Sequence, residues 1–135
     1  MRKFIFHPYI ILNLSFSGII LLIFLYAGIF SAQKDDHPVP SVYEEILYKK
    51  SPTSGLSHSF SEIIRGNFPS AKAWNKNGIP IFTFFLIQFL LRIISSYLIV
   101  SGKIQVRNLV WADSLISISL FLICFKNLLT FWKFF

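Results

Sequence analysis

The stretch IPIFTFFLIQFLLRIISSYLIVSG, residues 79–102, decides the fold class of this chain. Arg92 is its only charged residue, and most of its other side chains are apolar. A helix needs about 20 apolar residues to cross about 30 Å of hydrocarbon, and a backbone inside lipid must satisfy its own hydrogen bonds. The stretch therefore predicts a membrane-spanning helix.

Two more apolar runs of spanning length flank this stretch, at about residues 9–32 and 109–132. The chain has 135 residues, of which 54% are hydrophobic and 14% charged, whereas soluble domains carry about 25% charged residues. So small a soluble domain could not bury that much apolar surface. We predict an all-α membrane protein, a single domain over residues 1–135 with three transmembrane helices in a lipid bilayer.

The first run could also be a secretory signal peptide, because Arg2 and Lys3 precede it. However, its apolar stretch is longer than the usual core of about 7–15 residues, and Phe30 stands where a small residue is expected before a cut after Ala32. We therefore expect the first run to remain as a span.

The polar loop at about residues 33–78 carries two helical patterns. Ser41 and Glu44 have the spacing of a capping box, which predicts a short helix over residues 42–50. Further on, apolar residues at helical spacing predict an amphipathic helix at the membrane interface, with polar residues on its other face. The apolar positions are Leu56, Phe60, Ile63, Ile64 and Phe68, and the polar ones are Ser57, His58, Ser61, Glu62 and Arg65. Residues 69–78 predict one more helical turn, with Trp74 as an interfacial anchor.

Two opposite charges lie inside the predicted spans, Arg92 in the second and Asp113 in the third. A charge in hydrocarbon is costly and needs a partner or an exit. The short turn between these spans makes them antiparallel neighbours, so we predict an intramembrane ion pair assisted by Gln88. The pair could fix the register of the hairpin or belong to a proton or ion pathway. Alternatively, Arg92 could snorkel to the headgroups.

Residues 51–58, SPTSGLSH, resemble a signature known from a family of small bacterial membrane proteins of unknown function. That signature is Cys-Pro-x-Cys-Gly-x-Thr-Arg, placed after one hydrophobic helix and before a hairpin of two. Pro52 and Gly55 match it outright, and Ser57 is conservative for Thr. Further similarity lies at Arg65-Gly66-Asn67, at Trp74-Asn75 and at Lys126-Asn127.

This chain departs from the signature at both cysteines, which are Ser51 and Ser54 here, and at the arginine, which is His58. Two hydroxyls cannot form a disulfide or supply the thiolates of a metal site. The turn chemistry remains, because Pro52 fixes φ, Gly55 permits a left-handed turn, and Ser54 or Ser57 can cap the next helix.

The resemblance implies that the loop lies outside the cytoplasm. Basic residues are densest near the span ends at the N-terminus and in the short second loop, which also favours a cytoplasmic N-terminus, although the raw count of Lys and Arg favours the long loop inside. We therefore predict a multi-pass protein of the bacterial cytoplasmic (inner) membrane. A depression at the outer helix ends would then gather candidate residues for binding an anion or a partner, namely Arg65, Asn75, Lys126 and Asn127.

Other chemistry has little support in the sequence. The net charge is +7, but the basic residues flank the apolar runs as headgroup anchors do, so we expect no nucleic-acid partner. His7, His37 and His58 lie too far apart in the sequence to predict a metal site, and we expect no cofactor. Cys124 is a lone thiol in an apolar run.

A serine nucleophile has its residue types but no pattern. The side chains available are Ser54, Ser57, His58, Glu62 and Asp113. There is no Gly-x-Ser-x-Gly elbow, and His58 with Glu62 reads as a solvated i,i+4 pair on a helix. We therefore expect a non-catalytic membrane scaffold or accessory subunit whose outer loop and interfacial helices dock a partner protein. The alternative is a small enzyme or transporter component that binds an anionic or lipid-linked molecule at the outer membrane face.

Overall fold

A computed structural model of the chain describes residues 7–30, 53–102 and 104–131. The helix expected over residues 42–50, its capping box, and the motif residues Ser51 and Pro52 lie outside these ranges. Within them the chain is helical and contains no strand. The helices are α1 (Pro8–Ile29), α2 (Leu56–Ile64), α3 (Phe68–Trp74), α4 (Gly78–Val100), α5 (Val106–Cys124) and α6 (Lys126–Phe131).

Three of these helices, α1, α4 and α5, are long and apolar enough to cross a membrane. The short helices α2 and α3 lie between the first two spans in the chain. The prediction of an all-α membrane protein with three transmembrane helices and short helices in the first loop is therefore confirmed.

The third span differs from its prediction at both ends. It begins at Val106 and ends at Cys124, Phe125 forms a turn, and Lys126 opens the separate helix α6. At about 1.5 Å per residue, the 19 residues of α5 extend about 28 Å, which is close to the hydrocarbon thickness of about 30 Å. Ending the span before Lys126 removes the cost of holding that cation inside lipid.

The chain divides into two compact units. The described part of the first unit comprises residues 7–22, 83–102 and 104–124, and that of the second comprises residues 23–30, 53–82 and 125–131. In the first unit, α1 buries one face through Ile10, Asn13, Ser17 and Ile20, spaced three or four residues apart. Helical periodicity thus places polar and apolar side chains on the same buried stripe.

The antiparallel arrangement of α4 and α5 is visible in three contacts of the first unit. The rings of Phe84 and Phe121 have centroids 6.1 Å apart, Ser117 Oγ donates to Gln88 Oε1 at 3.3 Å, and Arg92 pairs with Asp113. The contacts advance by four residues on α4 while they go back by four on α5, which is one helical turn at each step. Of the residues of α5, only Asp113 is buried.

The second unit is built around α2 and α3, which pack against each other. Phe60 and Ala71 are buried, and Phe60 meets Phe82 edge to face with ring centroids 5.2 Å apart. A close approach joins α2 to the start of α4, where a Cβ on Gly78 would overlap the side chain of Ser59. Ser59 is fully buried and donates to Ala71 O at 2.8 Å.

The amphipathic pattern of residues 56–68 assigned some side chains to the wrong face of the helix. Ser61 and Glu62, assigned to the polar face, are fully buried, whereas the apolar Ile64 and Phe68 are 42% and 54% exposed. The helix ends at Ile64, so Phe68 begins α3 on a different axis. Small polar side chains serve as interior contacts between helices in membrane proteins, which accounts for the burial of Ser61.

Candidate functional site

The motif turn comprises Thr53, Ser54 and Gly55 directly before α2. Gly55 is the N-cap residue and has φ 70°, the left-handed conformation expected for this position. A Cβ there would lie 2.8 Å from Trp74 O, so close approach also demands glycine. The expected cap by Ser54 or Ser57 is wrong, because glycine holds the cap position and α2 has no side-chain cap hydrogen bond.

The expected solvated pair between His58 and Glu62 is also wrong. His58 stacks on Trp74 with ring centroids 4.4 Å apart and an interplanar angle of 20°. Glu62 is fully buried, and its Oε2 accepts from Asn67 Nδ2 at 3.1 Å. The helical spacing was compatible with a pair, but the packing of α2 against α3 turned the two side chains to different partners.

Asn75 holds the end of α3 against the motif turn. Its Nδ2 donates to Ser54 O at 2.7 Å, and its Oδ1 accepts from the backbone N–H of Asn77 at 2.8 Å. Asn127 Nδ2 in turn donates to Asn77 Oδ1 at 3.4 Å. Two of the four candidate binding residues, Asn75 and Asn127, therefore belong to one chain of backbone and amide contacts.

Arg65 directly follows α2 in the sequence, and its side chain reaches the C-terminal end of α1. Its Nη2 donates to Gly28 O at 3.2 Å, and its Nη1 lies 3.4 Å from both Ala27 O and Phe30 O. Nη1 also bonds the backbone oxygen of Ser61 at 2.9 Å and its Oγ, and Ser61 Oγ donates to Phe30 O at 2.6 Å. The last carbonyls of a helix lack intrahelical donors and carry partial negative charge, which a guanidinium satisfies.

Lys126, the remaining candidate, is exposed at the start of α6. Its backbone oxygen accepts from Thr130 Oγ1 at 3.1 Å. The candidate residues for anion or partner binding thus have different roles within the second unit. Arg65 donates hydrogen bonds to the end of α1, and Asn75 donates one to the motif turn. Lys126 presents a cation at the surface.

The second candidate site is in the first unit and contains the intramembrane charges. The expected ion pair is present, since Arg92 Nη1 contacts Asp113 Oδ2 with the two side chains 14% and 5% exposed. Gln88 assists as expected, because its Oε1 accepts from Arg92 Nη2 at 2.9 Å. The Arg92 side chain therefore points between the packed helices of the first unit rather than snorkelling to the headgroups.

Three further members of this cluster were not predicted. Tyr9 Oη donates to Asp113 Oδ2 at 2.6 Å, Asn13 Oδ1 accepts from Arg92 Nη1 at 3.2 Å, and Ser117 Oγ accepts from Arg92 Nη2 at 3.0 Å. The sequence contained a usable signal. Asn13 is four residues after Tyr9, and Ser117 is four after Asp113, so polar side chains recur at one helical turn on each span.

The chemistry available at these sites is hydrogen bonding and charge. Within residues 7–30, 53–102 and 104–131, no group of three or more His, Cys, Asp or Glu side chains could hold a metal ion. Cys124 is a half-buried free thiol at the end of α5. Comparison with protein-family models, with curated proteins and with solved structures finds no match to this chain.

Proposed function

We propose that this multi-pass membrane protein is a non-catalytic scaffold or accessory subunit whose α2–α3 pair docks a partner protein at the membrane surface. The observation that carries this proposal is the combination of an internally bonded helix pair with exposed large apolar side chains. The exposed fractions are 42% for Ile64, 54% for Phe68 and 44% for Trp74.

The hydrogen bonds that hold the α2–α3 pair in place support a docking role rather than a catalytic one. Ser59 Oγ donates a hydrogen bond to Ala71 O, Asn75 Nδ2 donates one to Ser54 O, and Arg65 Nη2 donates one to Gly28 O at the end of α1. Polar groups that hold the backbone in place are already occupied by the fold, which leaves them less able to act on a substrate. A preorganised surface loses little conformational entropy when a partner binds.

Apolar exposure on the pair suits a protein contact at the headgroup level. Aromatic side chains are enriched in interface cores and among residues that dominate binding energy. Phe68 and Trp74 lie at the two ends of α3 and are both exposed. We place the partner on this surface and expect it to be another membrane protein.

Site-specific photo-crosslinking in native membranes tests the proposal. A crosslinking amino acid is introduced at Phe68 and, as the matched control, at Leu122 on α5, since both side chains are 54% exposed. We expect one protein adduct of defined mass from position 68 and only lipid adducts from position 122. A Phe68→Ser variant should abolish co-purification of that protein. Lipid adducts alone from both positions would refute docking through α3.

We also infer that the protein lies in the bacterial cytoplasmic membrane with its N-terminus in the cytoplasm and the α2–α3 pair outside. The density of Lys and Arg near the N-terminus and in the loop between α4 and α5 supports this orientation. With three spans, the loop before α4 and the loop after it lie on opposite sides of the membrane.

We further propose that the chain is a divergent member of the family with the Cys-Pro-x-Cys-Gly-x-Thr-Arg signature. The support is positional: Gly55 takes the left-handed turn directly before a helix and touches Trp74, so a glycine is required there whether or not the neighbouring cysteines are kept. On this proposal the turn is retained although the cysteines are replaced, because the turn determines the path of the backbone.

The alternative, an anionic or lipid-linked ligand at the outer face, has less support. It needs Arg65 to offer its guanidinium to the ligand, and that group bonds the last carbonyls of α1. Lys126 alone is a weak anion site. A bound phosphate that disappears in Lys126→Gln but persists in the control Lys72→Gln would favour this alternative.

A further inference from the structure

A line of polar side chains runs along the buried interior of the first unit. We call it the polar seam. Its members recur at one helical turn on each of three helices: Tyr9, Asn13 and Ser17 on α1, Gln88, Arg92 and Ser96 on α4, and Asp113 and Ser117 on α5. The seam starts at the second residue of α1, and at about 1.5 Å per residue its α1 part extends about 12 Å into the span.

Four seam atoms lack a hydrogen-bond partner among the residues that the structure describes. They are Asn13 Nδ2, Ser17 Oγ, Gln88 Nε2 and Asp113 Oδ1. Their residues are 0%, 6%, 5% and 5% exposed, so neither solvent nor headgroups reach them directly. A buried polar atom without a partner is costly, more so in lipid than in a soluble core.

The chemistry of these atoms selects one class of ligand. Arg92 already donates to Asn13 Oδ1, Asp113 Oδ2 and Gln88 Oε1. What remains is two amide N–H₂ donors, one hydroxyl and one carboxylate oxygen. A cation would be repelled by the amide donors and an anion by the carboxylate, whereas water accepts from the former and donates to the latter.

We propose that the polar seam binds ordered water inside the membrane, beside the Arg92–Asp113 pair. Buried waters are found where otherwise unsatisfied polar groups surround them, with about three hydrogen bonds each. Tyr9 is half-buried at the start of α1, so the Tyr9 end of the seam is the end nearest the membrane surface. The inference concerns the first unit and is independent of the docking function proposed for α2 and α3.

Water-to-protein magnetisation transfer measured by solid-state NMR on the full chain in bilayers tests the proposal. The side-chain amide signals of Asn13 and Gln88 are assigned by their loss in Asn13→Leu and Gln88→Leu. The side-chain amide of the exposed Gln105 is the wet reference, and the backbone amide of Ile118 on lipid-facing α5 is the dry reference.

We expect transfer to the Asn13 and Gln88 amides to build up as fast as to the Gln105 amide and several-fold faster than to Ile118. Build-up at the rate of Ile118 for both amides would overturn the proposal, because the seam would then be dry.

A stability comparison provides a second readout. Ser17→Ala removes one buried hydroxyl, and Ser15→Ala removes an exposed one from the same helix. If Ser17 Oγ binds water, Ser17→Ala lowers the midpoint of denaturant-induced unfolding while Ser15→Ala leaves it unchanged. If the hydroxyl is buried without a partner, its removal raises the midpoint, and that result would refute a water site at Ser17.

Discussion

Gly55 combines two requirements that only glycine meets. Its φ of 70° is strained for residues with a Cβ, and a Cβ would stand 2.8 Å from Trp74 O. The nearby Gly66 has φ 81°, but nothing lies within 4 Å of where its Cβ would be. The two glycines therefore separate backbone strain from steric contact, which is otherwise difficult within one small protein.

We expect Gly55→Ala to destabilise the protein more than Gly66→Ala. Both variants carry the strain of a left-handed alanine, roughly 1–2 kcal/mol, but only Gly55→Ala also pushes α3 away at Trp74. Thermal unfolding in detergent measures the difference. Equal losses in the two variants would show that the contact between the motif turn and Trp74 has no energetic weight.

The Arg92–Asp113 pair affects how the whole of α5 packs against α4. The single buried residue of α5 is Asp113, and the large apolar side chains of α5 are mostly exposed. Apolar packing between helices has little driving force in lipid, because lipid tails are equally apolar. The ion pair and its hydrogen bonds therefore hold α5 in register against α4.

Removing one member of the pair should harm the protein more than removing both. Arg92→Gln or Asp113→Asn leaves an unpaired buried charge, with an expected loss of about 3–5 kcal/mol, and the double variant should recover much of it. The measurement is the yield and thermal stability of folded protein. Arg107→Gln, at an exposed arginine near the start of α5, is the control and should behave as wild type.

If the double variant is no better than either single variant, the charges do not act as a pair. In that case each side chain contributes through its other partners, such as Tyr9 or Gln88.

Arg65 connects two elements, the end of α1 and helix α2. Replacing it with Met keeps most of its length but removes the donors to the α1 carbonyls. We expect a loss of about 1 kcal/mol, since the side chain is partly exposed and the contacts are screened. Hydrogen exchange should quicken in the last turn of α1 and in α2, and it should not change in Lys72→Met, which alters an exposed cation on α3.

Unchanged exchange in Arg65→Met would mean that the guanidinium contacts are incidental. The anion-binding alternative would then regain its main candidate residue.

At the scale of the whole molecule, three spans determine the sidedness of each loop. Replacing Cys124 with Ser yields a chain without thiols, because Cys124 is the only cysteine in the sequence. Single cysteines are then introduced at the exposed Lys72 on α3 and the exposed Gln105 before α5. A membrane-impermeant thiol reagent should label Lys72→Cys in intact spheroplasts and Gln105→Cys only after lysis. The reverse pattern would contradict a cytoplasmic N-terminus.

Hydropathy made much of this fold predictable. The three spans and the helical loop follow from run length and spacing, because lipid permits few backbone solutions. The end of the third span was harder to place, since Lys126 and Phe125 sit within a continuous apolar run. The buried face of α2 was missed in part, because the pattern assigned Ser61 and Glu62 to the polar face and both are fully buried.

The amino-acid sequence by itself determined the solvent, the number of spans and the pairing of Arg92 with Asp113, because a charge in hydrocarbon has very few acceptable partners. Only the tertiary structure decided the rest. It directed Arg65 to the end of α1, buried Glu62, stacked His58 on Trp74, and added Tyr9 and Asn13 to the ion pair. Each of these contacts depends on which helix faces which. The spacing of Tyr9 and Asn13 marks a polar stripe on α1, but it does not indicate which helix that stripe faces.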